Sequence, residues 1–192
     1  GGGTEFTHLY VGACFDIAEA RKPTVSAIFL DVTTAFAAMC GTNHCIGVAN
    51  GTDALQLALM AEGVGRGDAV FVPSFTFTST AEAVALVGAT PVFVDVLPDT
   101  FNMDPDSLLA TVSATTNLNC AAVIAVDLFG QPADYRRITP IAHEHGMTVI
   151  DDAAQSLGAR LDNREAGTFC DMTTTSFFPV KPLGCYGDGG AV

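Results

Sequence analysis

The run Ala121-Ala-Val-Ile-Ala-Val126, the helical segment over 134–145 and the run Met147-Thr-Val-Ile150 decide the fold of this chain. Both runs are apolar almost throughout, as strands are when helices cover both of their faces. Gly146 suits the end of the intervening helix. Strand, helix and strand in this order make a parallel pair joined by a right-handed crossover.

The same alternation extends outward. Ala69-Val-Phe-Val-Pro73 and Pro91-Val-Phe-Val-Asp-Val96 read as strands. Helices are expected over 53–62, 78–87 and 105–113. Asp104-Pro105 opens the last of these, with Asp as cap and Pro at the first helical position. Gly88 suits a helix end. The pattern predicts an α/β fold, a mainly parallel sheet with flanking helices. Ligands in such sheets bind beyond the carboxyl ends of the strands. The first 35 residues follow the pattern less clearly. Ser26-Ala-Ile-Phe-Leu-Asp31-Val-Thr-Thr-Ala-Phe36 is expected to be a strand running into a helix. It faintly resembles the first metal-binding palm motif of reverse transcriptases, but the paired aspartates of that motif's partner are not visible downstream. Residues 1–35 are therefore read as a divergent N-terminal segment, and 36–192 as the main domain.

Composition bounds the function. The 192 residues suit one domain or slightly more, and 49% are hydrophobic, enough for a substantial core. No apolar run is long and clean enough to span a bilayer, so no membrane partner is expected. The opening Gly1-Gly-Gly-Thr-Glu-Phe6 has no basic region followed by an apolar one, so a cytoplasmic location is expected. A net charge of −13 argues against nucleic acid as a partner. The six cysteines (Cys14, Cys40, Cys45, Cys120, Cys170, Cys185) are read as free thiols. His44 with Cys40 and Cys45, and His143 with His145, have no second ligand pair at zinc spacing, so no metal site is expected.

Four stretches carry chemistry. Asn50-Gly51-Thr52-Asp53-Ala54-Leu55 is a turn opening a helix, where free N–H groups and the helix dipole favour an anion. By itself it is equally an ordinary cap. Pro73-Ser-Phe75-Thr76-Phe77-Thr78-Ser79-Thr80 follows a strand, and an aromatic there stacks on a planar ring or fills the core. Val149-Ile150-Asp151-Asp152-Ala153-Ala154-Gln155-Ser156 places two carboxylates at the end of a buried strand, so at least one requires a cationic or proton-donating partner. Ser176-Phe-Phe-Pro-Val-Lys181, followed by a glycine-rich run, sets a lysine in apolar surroundings. Such surroundings favour the neutral amine that Schiff-base chemistry needs.

Taken with Gly88-Ala-Thr-Pro-Val-Phe-Val-Asp95 and Asp127-Leu-Phe-Gly-Gln131, these stretches resemble the DegT/DnrJ/StrS family of PLP-dependent nucleotide-sugar aminotransferases. The resemblance runs from Phe36 to Val192 and is most specific from Ser176 onward. Within the family it is closest to enzymes that aminate UDP-2-acetamido-2-deoxy-3-oxo-glucuronate for surface polysaccharides. It implies part of the large domain of a fold-type I, aspartate aminotransferase-like transferase. It implies pyridoxal 5′-phosphate as cofactor, glutamate as amino donor, a keto nucleotide-sugar as acceptor, and a homodimer at full length. Carried over residue by residue, it makes Lys181 the Schiff-base lysine and proton carrier. Asp152 holds the pyridine nitrogen, Gln155 lies near the ring's phenolic oxygen, and Phe77 stacks on the ring. Gly51, Thr52 and Ser176 bind the phosphate, and Asp151 has a supporting role. Relatives that dehydrate sugars carry histidine in place of the lysine, so Lys181 argues for transamination. The chain corresponds to about the first half of a family member. The alternative expectation is therefore a truncated or chimeric remnant that keeps only the fold or the cofactor site.

Overall fold

The structure, a computed structural model, describes residues 25–162 and 164–192. Most of the N-terminal segment, and Cys14 with it, lies outside these residues. Its described end corrects one expectation. Residues 26–30 form no strand but belong to a continuous helix, α1 (Val25–Cys40). An unbroken apolar run does not by itself distinguish a strand from a buried helix, and sixteen residues is helical length.

The remaining expectations hold to within about two residues. After α1 come β1 (Gly47–Val48), α2 (Gly51–Ala61), β2 (Asp68–Pro73), α3 (Ser79–Leu86) and β3 (Thr90–Val94). Then follow α4 (Pro105–Ala114), β4 (Asn119–Val126), α5 (Tyr135–Glu144) and β5 (Thr148–Asp152). A small hairpin, β6 (Arg160–Leu161) with β7 (Arg164–Glu165), precedes β8 (Met172–Ser176) and β9 (Gly190–Ala191). Local chemistry explains the boundaries. The Asp104 side chain accepts from the Asp106 N–H at 2.9 Å, and Pro105 follows it at the helix start. Gly88 (φ +85°) and Gly146 (φ +71°) leave α3 and α5 in the left-handed region, where a side chain would be strained.

Seven strands form one sheet in the order β1-β9-β8-β5-β4-β2-β3. The pairs β8–β5, β5–β4, β4–β2 and β2–β3 are parallel, and β9 runs antiparallel to both neighbours. Strand alternation divides the core between two faces. Phe71, Val123, Ala125 and Val149 pack with Leu108 of α4 and Ile138 of α5. Val70, Val72, Ile124 and Ile150 pack with Leu55 and Leu59 of α2 and Val84 of α3. Each fully buried side chain of this size stabilises by roughly 1.5–3 kcal/mol. A third cluster seats α1 against the loop after β8. The Phe36 and Phe177 rings meet edge to face at 5.3 Å, which anchors the segment leading to Lys181.

Candidate active site

The four chemical stretches converge at the carboxyl ends of β5 and β8 and the start of α2. Gly51 opens α2 directly beside Ser176, the last residue of β8. A Cβ on Gly51 would lie 2.8 Å from the Ser176 Cβ and 3.3 Å from its Oγ, so only glycine allows this approach. Gly190 is equally confined, since its Cβ would meet the Asn50 carbonyl at 2.6 Å. Asn50 caps the helix through the Asp53 N–H at 2.8 Å. Among the described residues, the N–H groups of Gly51 and Thr52 have no protein acceptor. Two free amides and the Ser176 Oγ, which also accepts from the Phe178 N–H at 3.3 Å, thus lie together at a helix N-terminus, the chemistry that favours a phosphate. Asp53 in the same turn opposes an anion, and its own N–H is already occupied by Asn50.

Asp152 ends β5 with 7% of its surface exposed. Its Oδ1 accepts from the Ala154 N–H at 3.2 Å, and its Oδ2 from the Thr80 hydroxyl at 3.5 Å. Burial pushes its carboxyl up to about 6, against the pull of the Ala154 N–H and of the nearby Lys181 ammonium. Lys181 is half-buried in the turn after β8, its N–H bonded to the Phe178 carbonyl at 2.8 Å. A Cβ on Gly184 would strike the Pro179 carbonyl at 2.4 Å, so glycine is required to fold this turn back on itself. Gln155 is held by its Oε1, which accepts from the Phe129 N–H at 2.9 Å, leaving its amide nitrogen free to donate. Phe129 sits in the left-handed region (φ 57°), a strained conformation for a non-glycine residue. Phe77 stands two residues before α3 with 67% of its surface exposed.

Asp151 points to the opposite face. It is fully buried, and its Oδ1 lies 2.7 Å from the Tyr135 hydroxyl. That hydroxyl is also 2.8 Å from Asp127 Oδ1. Asp127 further accepts from the Ala133 N–H at 2.8 Å and the Ser156 hydroxyl at 2.7 Å. Burial raises the carboxyls of both aspartates, that of Asp151 well above its ordinary range. Sequence reading did not single out Thr80, Asp127 or Tyr135 as site residues. Asp127 carried a visible signal, a carboxylate directly after an apolar strand. Thr80 lay within the stretch Pro73–Thr80, where the aromatic drew the reading, and Tyr135 carried no signal because it comes from a separate crossover.

A cavity of about 490 Å³ lies elsewhere, under α1, lined by Phe36, Cys40, Cys45, Leu157 and Gly167 among others. It includes none of the predicted residues. The five described cysteines are free, and burial pushes the Cys40 thiol up to about 12, which leaves it unreactive. No helix among the described residues is long and apolar enough to cross a membrane.

Residues 27–192 match the DegT/DnrJ/EryC1/StrS aminotransferase family. The chain is 52% identical over 152 residues to the UDP-2-acetamido-2-deoxy-3-oxo-D-glucuronate aminotransferase of Pseudomonas aeruginosa, covering 79% of this chain and 41% of that protein. A crystal structure of a DegT DnrJ EryC1 StrS aminotransferase from Brucella abortus superposes with a TM-score of 0.87 at 49% identity, covering 96% of this chain and 50% of that one. DesV of S. venezuelae, solved in complex with a ketimine intermediate, superposes with a TM-score of 0.86 at 37% identity, covering 98% and 50%. The chain thus spans about two fifths of the curated relative and half of the solved neighbours.

Proposed function

Given that this chain belongs to the DegT/DnrJ/EryC1/StrS aminotransferase family, we propose that it carries the cofactor half of a PLP-dependent sugar aminotransferase. The observation that carries the reading is the buried Asp152 carboxylate. It has only long hydrogen bonds, and the Lys181 ammonium is near enough to lower its carboxyl. Bound PLP supplies an electron sink and carries the amino group between donor and acceptor.

The chain's own residues divide the remaining work. Gly51, Thr52 and Ser176 bind the phosphate. Asp152 keeps a proton on the ring nitrogen, and a cation there compensates a carboxylate that is otherwise costly to bury. The free amide of Gln155 donates to the phenolic oxygen, and Phe77 covers one ring face. The Lys181 amine would hold the cofactor and carry a proton at the amino-bearing carbon. The amino group comes from glutamate and goes to the ketone of a nucleotide-sugar, of the UDP-linked 3-oxo-glucuronate type. The 52% identity to the Pseudomonas aeruginosa enzyme supports that substrate. A cytoplasmic homodimer serving surface-polysaccharide synthesis completes the reading. Residues 36–192 form part of the large domain, and α1 crosses the boundary at residue 36.

Borohydride reduction after incubation with PLP, followed by peptide mass spectrometry, tests this. The expected result is a pyridoxyl group on Lys181, absent from Lys181→Ala. Labelling spread over other amines, or none on Lys181, would refute it.

A further inference from the structure

Beneath the proposed cofactor site, one phenol serves two carboxylates. The Tyr135 hydroxyl lies 2.7 Å from Asp151 Oδ1 and 2.8 Å from Asp127 Oδ1. A phenol has a single hydrogen and can donate it to only one of them. If both carboxylates were ionised, the other contact would press lone pairs together at hydrogen-bond distance, in a fully buried place. A second proton must therefore be present.

The surrounding donors say where it sits. Asp127 accepts two further hydrogen bonds, from the Ala133 N–H and the Ser156 hydroxyl, as a stabilised anion does. Asp151 Oδ2 has no hydrogen bond of good geometry, although the Gly167 N–H approaches the group. The other titratable groups around Asp151 are Asp152 on its own strand, the Cys170 thiol ahead of β8 and the Cys40 thiol of α1. Among the described residues, no ion pair reaches it.

We infer that Asp151 is a neutral carboxylic acid whose Oδ1–H donates to Tyr135, while Tyr135 donates to an ionised Asp127. The relay holds one negative charge instead of two. Asp151 is then a positioning residue: its neutrality removes the repulsion that a second carboxylate would exert on the adjacent Asp152. Asp152 thereby remains free to ionise near neutral pH and meet a cationic ring nitrogen. That last consequence rests on the proposed function, whereas the proton placement does not.

Infrared difference spectroscopy of the purified, cofactor-free protein at pH 8 tests the placement. The carbonyl stretch of a protonated, hydrogen-bonded carboxylic acid is expected. It should shift down in D2O, persist in Asp152→Asn and disappear in Asp151→Asn. Tyr135→Phe should move the band to higher frequency, since the acid loses its acceptor, and this arm decides the matter if Asp151→Asn does not fold. No such band in the folded protein, a band surviving Asp151→Asn, or one lost only in Asp127→Asn overturns the assignment. No cofactor is present in these samples, so a failure of Lys181 trapping and a failure of this relay are read separately.

Discussion

Asp151 and Asp152 are adjacent, of one residue type and both buried, yet they face two different structures. Asp151 looks toward α5, where Tyr135, Asp127, Ser156 and the Ala133 N–H form a network of bonds between 2.7 and 2.8 Å that leaves Asp151 Oδ2 without a partner among the described residues. Asp152 looks toward α3, where its two donors are longer, 3.2 and 3.5 Å, and one side opens toward Lys181. The difference shows how a sheet separates its tasks at one strand end. A network of short bonds rigidifies the fold even with Asp151 Oδ2 unpartnered, and a carboxylate held only by long bonds keeps capacity for a ligand. The weakly held group costs stability in the free protein, as residues at functional sites commonly do.

The comparison breaks hardest at Asp152. On the proposed function, Asp152→Asn should lower transamination by about 10²-fold or more, because asparagine would not compensate a cationic ring nitrogen. The same change should help the empty protein fold. The carboxyl titrates at about 6 when folded, against an ordinary 3.8. Its contribution is therefore fully present below about pH 4 and lost as pH rises through 6. Native protein should lose up to about 3 kcal/mol relative to the variant over that window, read from urea unfolding at pH 4.5 and pH 8. Equal slopes for the two proteins would count against the raised pKa.

Ile138→Ala on the Asp151 face and Leu59→Ala on the Asp152 face remove equally buried side chains. Each should cost about 2–5 kcal/mol in denaturant unfolding, since both faces are packed cores. A much smaller loss on the α2 side would mean that the ligand-bearing face is packed more loosely. Tyr135→Phe should cost roughly 1–3 kcal/mol, because it leaves buried acids without their shared partner. Asn50→Ala should cost only about 1 kcal/mol, the loss of one cap at the mouth of the anion cradle. A phosphate titration should show whether that cap also orders the Gly51 and Thr52 amides.

Much of this was legible in the chain. The apolar runs gave the central strands, Asp104-Pro105 gave a helix start, and Gly88 and Gly146 gave helix ends, because each signal acts over a few neighbouring residues. The expectation that one strand-end aspartate has a proton-donating partner also held, at Asp152, which accepts from the Ala154 N–H and the Thr80 hydroxyl. The strand expected over 26–30 was wrong because apolar content alone does not fix a period there. Thr80 lay at the end of the stretch read for its aromatic and was given no role of its own, and Tyr135 went unnoticed because nothing near it in sequence marks a site. Thr80 lies 72 positions from the carboxylate it touches, and Tyr135 sits on the far side of a crossover.

The sequence by itself determined the α/β alternation and the family, and it singled out Lys181, the paired aspartates and the glycine turn as candidates. These follow from short-range pattern and side-chain chemistry. Only the tertiary structure decided which aspartate faces which layer, what each one bonds, and how closely Gly51 approaches Ser176. Strand alternation puts adjacent carboxylates on opposite faces, but the groups that meet them come from separate crossovers, so their protonation is set by packing.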